Sequence, residues 1–361
     1  MKKFNSLIVV LLSGVLVLCG CGGSGGSGAE QKTESSLRHL SAEKRLELAK
    51  RYEYITPFRD GMAIVLKNEK YGFIDETGKQ VIPCIYEDAS YFYDGLASVC
   101  LNGNFGFVDK TGKQVIPCIY GDASYFSDGL ARVYMNGKYG FIDKTGKQVI
   151  PCIYEDADDF SDGLASVCLN GNYGFVDKTG KQVIPCIYQF ASYFSDGLAS
   201  VCLNGNYGFI DKTGKQVIPC IYEYASYFSD GLASVCLNGN YGFIDKTGKE
   251  VIPFIYDNAY SFSEGLIPVE MNGKWGYINK SGETVIPFTY DAASRFQLGM
   301  AAVKMNGKLG LIDSTGKTLI MCAFDGIYYY EPLGIFVASI ENDNGDVTVN
   351  YYDIDGTYLG M

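Results

Sequence analysis

Eight glycines, Gly72, Gly106, Gly140, Gly174, Gly208, Gly242, Gly276 and Gly310, fall 34 residues apart without a single insertion, and nearly every flanking residue repeats with them. A fixed period of this length marks a solenoid or a propeller, in which no unit buries its own apolar face and the core forms between copies. The repeats run from about residue 52 to the end of the chain and leave no room for a separate catalytic domain. A formal net charge of -11, spread along the repeats, argues against a nucleic-acid partner, which needs a basic stripe to displace counterions.

Comparing the copies position by position gives the unit. Asn102-Gly103, Asn136-Gly137, Asn170-Gly171 and their successors are two-residue type I′ hairpin signals. A second turn, Asp109 to Gly112, pairs an αL glycine with an Asp able to bond the turn's own amides. Each unit therefore reads as a three-stranded antiparallel meander. In the first strand, Leu96 to Leu101, the Val99 column is valine in every copy and reads as buried, while the Ser98 column holds Ile64, Arg132, Ser166 and Pro268 and reads as facing water. The second strand, Asn104 to Asp109, is apolar on both sides, and its glycine should face a neighbouring copy or an aromatic ring. The third, Lys113 to Ile116, stops at Pro117. Ala42, Leu46 and Ala49 give Ser41 to Arg51 one apolar side, the pattern of a short capping helix with Ser41 as N-cap. The last copy keeps a hairpin, Ile335 to Glu341 and Val347 to Tyr352 around Asn344-Gly345. The expected fold is all-β: tandem 34-residue meanders forming an open β-solenoid or superhelix, with a β-propeller-like ring as the alternative.

The seventh copy, Glu264 to Pro287 with Trp275-Gly276 at its centre, resembles the WG repeat of bacterial proteins. The other copies replace the tryptophan with Tyr71, Phe105, Tyr139, Tyr173, Tyr207, Tyr241 or Leu309, so the ring is a packing element. The resemblance implies an all-β tandem array with an interaction role, and it brings no catalytic residues with it.

At the N-terminus, Lys2 and Lys3 precede the apolar stretch Leu7 to Leu18, which is short for a membrane span and shaped as an export signal. Leu18-Cys19-Gly20-Cys21 resembles the lipobox of bacterial lipoproteins, which implies lipidation of Cys21 as the mature N-terminus. The chain then divides into a signal peptide (1–20), lipidated Cys21 with a Gly/Ser tether (21–36), a helix cap (37–51) and the array (52–361). The tether's reach is about 20 Å. The expected location is extracytoplasmic, lipid-anchored to a cell membrane.

With Cys19 removed and Cys21 lipidated, ten cysteines remain, in two columns. Cys84, Cys118, Cys152, Cys186, Cys220 and Cys322 alternate with Phe254 and Phe288 and read as core; Cys100, Cys168, Cys202 and Cys236 alternate with Leu66, Tyr134, Glu270 and Lys304 and read as solvent-facing. A bridge between them would join inside to outside, so all ten are expected as free thiols. His39 is the only histidine, there is no Cys-x-x-Cys, and no metal or cofactor is expected. Asn342 to Asp346 lacks the glutamate of a calcium loop and reads as a hairpin turn. Asp158-Asp159 reads as solvated turn charge, and no nucleophile and base pair up. The candidate binding residues lie where the copies diverge: Phe190 and Tyr224 after the Ile-Tyr strand, and Tyr91, Tyr125, Tyr193 and Tyr227, whose column also holds Asp159, Ser261 and Arg295 and therefore reads as a surface row. Exposed rings suit a protein partner or stacking on sugars, so the expected function is a non-catalytic, membrane-anchored scaffold, with a carbohydrate-binding lipoprotein as the alternative.

Overall fold

The structure, a computed structural model, describes residues 40, 42–330, 335–342, 344, 346–353 and 355–360. The export signal, Cys21, the tether and the Ser41 cap lie outside the described residues. A helix, α1 (Ala42–Arg51), leads into nine four-stranded antiparallel sheets arranged as a nine-bladed β-propeller. The first blade holds β1 (Tyr54–Ile55), β2 (Met62–Lys67), β3 (Lys70–Asp75) and β4 (Gln80–Tyr86); the second holds β5 (Asp88–Ala89), β6 (Leu96–Leu101), β7 (Asn104–Asp109) and β8 (Gln114–Tyr120). Each sheet pairs only its own strands, in chain order, and blades 3 to 9 repeat the plan.

The three-stranded meander thus needs correcting to four strands. The added strand is two residues long, and a tight turn ties it to the next: Asp94 and Gly95 take φ of 52° and 86°, and Tyr93 and Leu96 exchange both backbone hydrogen bonds. That strand also decides between superhelix and ring. Sheets packed face to face stand about 10 Å apart, so groups two units apart in a straight stack would be about 20 Å apart. Arg295 in blade 8 nevertheless donates from Nη1 to the Tyr227 hydroxyl in blade 6 at 3.3 Å. The inner loops converge on an axis, as in a propeller, and the expected open solenoid gives way to the ring alternative.

Face-to-face packing covers both sides of every inner strand. Ala97 and Val99 of β6 meet blade 1, while Leu96 and Phe107 meet blade 3. The Ser98 column is accordingly buried, against expectation, and the Ser98 hydroxyl donates to the Ala123 carbonyl of the next blade at 3.0 Å. A phenylalanine pair recurs at the interfaces, with centroids 5.0 Å apart for Phe73–Phe92, 4.9 Å for Phe107–Phe126 and 4.8 Å for Phe141–Phe160. Ion pairs such as Lys110–Asp60 at 2.8 Å and Lys144–Asp94 at 3.2 Å step from blade to blade near the surface, each worth at most about 1 kcal/mol. On blade 1, α1 takes the place of a preceding blade: Leu48 is buried with Phe58, Ala63, Val65 and Ile74, as a cap should be. The fourth strand is the outer edge, where Ile119 is 55% exposed and exposed Pro117 denies a partner strand its N–H.

The cysteine columns are inverted relative to expectation. Cys100, Cys168, Cys202 and Cys236 are buried between blades, and Cys84, Cys118 and their equivalents are half-buried on the outer strand. The first column accepts Glu270 and Lys304 because it lies one residue from the strand end, where a long side chain reaches water. All ten thiols are free.

The Asp-x-x-Gly turns are Asx turns, as read. Asp109 Oδ1 accepts from the Thr111 amide at 2.9 Å, the Thr111 hydroxyl at 2.5 Å and the Lys113 amide at 3.1 Å. The threonine hydroxyl, helped by those amides, holds Asp109, Asp143, Asp177, Asp211 and Asp245 below the usual carboxylate range. A folded-state pKa below the unfolded value gives stability that is present above the unfolded pKa of about 4 and lost as pH falls through the folded one. Thermal melting should therefore hold steady from neutrality to about pH 4 and decline below it. Asparagine at Asp143, Asp177 and Asp211 should flatten that decline, since Asn279 already accepts the same set of bonds in blade 7. An unchanged acid limb in the triple variant would remove these turns as its cause.

Candidate functional site

The six-residue loops between the inner strand and the second strand crowd the axis. Tyr91, Tyr125, Tyr193 and Tyr227 stand in these loops half-buried, so the expected surface row is corrected to an axial one. Ring contacts run from blade to blade here, some through Tyr93 of a neighbouring column. Tyr93 stacks on Tyr125 with centroids 4.3 Å apart, and Tyr193 meets Tyr227 at 5.5 Å. The Arg59 guanidinium lies 4.5 Å over the Tyr91 ring and donates to the Tyr93 hydroxyl at 2.8 Å. Burial, with the Tyr227 phenol beside it, pushes Tyr193 up to about 12. The column tolerates Asp159 beside the Arg132 guanidinium of the preceding blade, and Arg295 at an exposed position from which it donates to the Tyr227 hydroxyl.

Phe190 and Tyr224 belong to a different place. They occupy inner strands opposite Cys202 and Cys236, towards the Asn-Gly turns and away from the loops. There they are 43% and 44% exposed. They alternate with rings of the third strands in one ladder across blades 4 to 6: Tyr173–Phe190 at 6.3 Å, Phe190–Tyr207 at 6.0 Å, Tyr207–Tyr224 at 6.2 Å and Tyr224–Tyr241 at 5.9 Å. Elsewhere the same position holds Tyr54, Asp88, Asp122, Asp156, Asn258 or Ala292, and Tyr173 donates to Asp156 at 2.7 Å. The six candidate residues therefore split into an axial group of four and a ladder containing two.

One cleft breaks the repeat. Where blades 2, 4, 5 and 6 carry Ser98, Ser166, Ser200 and Ser234, blade 3 carries Arg132; where blade 3 carries Ser124 and Tyr125, blade 4 carries Asp158 and Asp159. These departures meet in space. Arg132 Nη1 donates to the Ala157 carbonyl at 2.6 Å, its guanidinium lies 5.2 Å from the Tyr139 ring centre, and its Nε stands 3.6 Å from Asp159 Oδ1. The Asp159 side chain is only 16% exposed. Burial raises its pKa, against the Ser124 hydroxyl and the Arg132 guanidinium, which lower it. Asp158 accepts from the Ser166 hydroxyl at 2.6 Å. Ser127, Phe160, Ser161 and Tyr193 complete the lining of a cavity of about 80 Å³. The solvated turn charge expected at Asp158-Asp159 is thus half right: Asp158 is exposed, Asp159 is not. Among the described residues no group of three or more acidic, cysteine or histidine side chains is placed to hold a metal.

Comparison with known proteins agrees with this architecture. The sequence profile of the WG containing repeat matches residues 46–71, 71–105, 105–139, 139–173, 173–207, 207–241, 241–275 and 275–308. The six matched units from 71–105 to 241–275 each run from ring to ring and so straddle two blades. No curated protein matches the chain in sequence. Among solved structures, one titled "Crystal structure of the eukaryotic initiation factor" is similar in fold, with a TM-score of 0.56 at 10% identity over 81% of this chain and 92% of that one. Kluyveromyces lactis Hsv2 (TM-score 0.37, 8% identity, 81% of this chain and 96% of that one) superposes too loosely to bear on this chain. The same holds for the extracellular domain of the hybrid two component system BT4673 from B. thetaiotaomicron (0.33, 11% identity, 86% and 53%).

Proposed function

The chain belongs to the WG containing repeat family, and from that premise we propose that it is a non-catalytic scaffold, held by lipid on Cys21 at the outer side of a bacterial membrane and binding protein or envelope partners through its repeated surface. The observation that carries this reading is regularity. Blades 3, 5 and 6 repeat the loop Ser-Tyr-Phe-Ser-Asp-Gly, the Asn-Gly and Asp-Lys-Thr-Gly turns and a lysine paired with an aspartate of the preceding blade, and repeated weak contacts on one rigid body multiply into avidity. Several acyl chains on one cysteine supply the stable attachment that a single chain would not. The test is fractionation of bacteria producing the full chain. Wild-type protein should sediment with membranes and come free in detergent, and Cys21→Ser should leave the membrane fraction. Equal sedimentation of the variant would end the anchored reading.

A second reading, carbohydrate binding, draws support from the ladder of Phe190 and Tyr224. Exposed Phe190 and Tyr224, joined through the half-buried Tyr207 at steps of 6.0 and 6.2 Å, suit the apolar faces of a saccharide chain, and the blades on either side fold with Asp156 and Asn258 in place of these rings.

A further inference from the structure

In a repeat protein the sister blades show which residue each position needs for folding alone. By that standard Arg132, Asp158 and Asp159 are departures that folding does not require, since Ser98 or Ser166, Ser192 and Tyr193 fill the same positions nearby. They converge on one cavity at the junction of blades 3, 4 and 5.

The chemistry of that cavity narrows its ligand. Arg132 Nε and Asp159 Oδ1 are buried, and neither has a hydrogen-bond partner among the described residues. At 3.6 Å they are too far apart to bond each other well, so a guanidinium N–H and a carboxylate oxygen stand unsatisfied side by side in the cavity wall. An anion would meet the Asp158 and Asp159 carboxylates, and a cation would meet the Arg132 guanidinium. A hydroxyl both accepts and donates, so two hydroxyls on adjacent carbons can take the guanidinium N–H and satisfy the carboxylate oxygen together. A volume of about 80 Å³ admits the hydroxyl-bearing edge of a sugar but not a whole ring, and half-buried Tyr193 is among the residues that line it.

We propose that the Arg132–Asp159 cleft is a binding subsite for the vicinal hydroxyls of a neutral saccharide. The proposal rests on the carbohydrate-binding reading and adds to it a second, polar contact point distinct from the Phe190–Tyr224 ladder.

The test uses the full chain in detergent, titrated calorimetrically with glucose, galactose, mannose and N-acetylglucosamine, and run in parallel over immobilised neutral polysaccharides. The variants restore the sister-blade residues, Arg132→Ser with Asp159→Tyr, so the fold should survive; thermal melting verifies this. At least one sugar should bind the wild type, and binding should fall more than tenfold in the double variant. It should also fall more than tenfold for a deoxy analogue lacking one of the paired hydroxyls, because a site built around a hydroxyl leaves its own polar groups unpaired without it. A third variant, Phe190→Asp with Tyr224→Asp, separates the two levels. If polysaccharide retention depends on this third pair while no monosaccharide binds, or the cleft variant binds sugars as well as the wild type, the subsite is overturned and the carbohydrate reading stands. If wild type retains no polysaccharide and binds no sugar, both fall.

Discussion

Replacing Phe175 with alanine should destabilise the array by about 3–5 kcal/mol, the range for emptying a phenylalanine site that cannot collapse. Phe175 is fully buried in blade 4, and its ring meets Phe194 of blade 5 with centroids 4.9 Å apart. Ile184 and Tyr188 of its own blade and Ala199, Val201 and Ile210 of the next close around it. These residues sit on two separate sheets that share no ladder, so side-chain contacts couple one blade to the next, and apolar packing is the largest of them. The loss should therefore appear as opening of blades 4 and 5 before the rest, read by hydrogen exchange, together with a lower urea midpoint. Ile187→Ala is the matched comparison. That side chain is 52% exposed on the outer strand of the same blade and should cost no more than about 0.5 kcal/mol. A Phe175→Ala chain that unfolds like the Ile187→Ala chain would mean that blade interfaces contribute little and that each sheet stands alone.

The parts of this fold that announce themselves in the sequence are those governed by backbone chemistry. Asn102 and Gly103 take φ of 53° and 74°, as their turn requires, and the Asp109 turn forms the expected three bonds. The short inner strand escaped because two residues carry no alternation, although Asp94-Gly95, repeated in nearly every copy, is the same kind of hairpin signal as Asn102-Gly103. Burial was harder to read. A column that admits serine, arginine and aspartate looks exposed when its copies are compared one column at a time. Ser98 is nonetheless buried because a second sheet covers it, and Asp159 is half-buried with Arg132, from another column of another blade, standing opposite. Column comparison holds register fixed and discards the relation between blades, and the cleft exists only in that relation. The candidate tyrosines suffered likewise: each was visible as a divergent position, but convergence on an axis is a property of the ring.

Gly174→Ala should cost on the order of 2–3 kcal/mol, the upper part of the range for forcing a methyl into a filled site. The glycine was expected to face a neighbouring copy or a ring; Gly174 faces the backbone of its own blade, and at Gly242 the ring of Phe254 does lie 2.8 Å from the Cβ position. Tyr173 pairs with Tyr188 and Phe175 with Ile184, so Pro185, Cys186 and Ile187 bulge outward opposite the single residue Gly174. An added Cβ would lie 2.5 Å from the Ile184 carbonyl oxygen and 2.6 Å from the Cys186 nitrogen, and backbone atoms cannot swing aside as a side-chain tip can. The same approach recurs at Gly72, Gly106, Gly140 and Gly208, which explains why the glycine is invariant along the array while the preceding ring varies between tryptophan, tyrosine, phenylalanine and leucine. The ring has room to change size at a half-buried edge, and the glycine has none. Gly171→Asn provides the contrast: that glycine sits in an open turn at φ +73° with nothing within 4 Å of its Cβ position, and asparagine tolerates such backbone. Its urea midpoint should stay close to that of the wild type. If Gly174→Ala also unfolds within about 0.5 kcal/mol of the wild type, the outer strand can slide away from the blade, and the close approach is not what holds glycine at the eight positions.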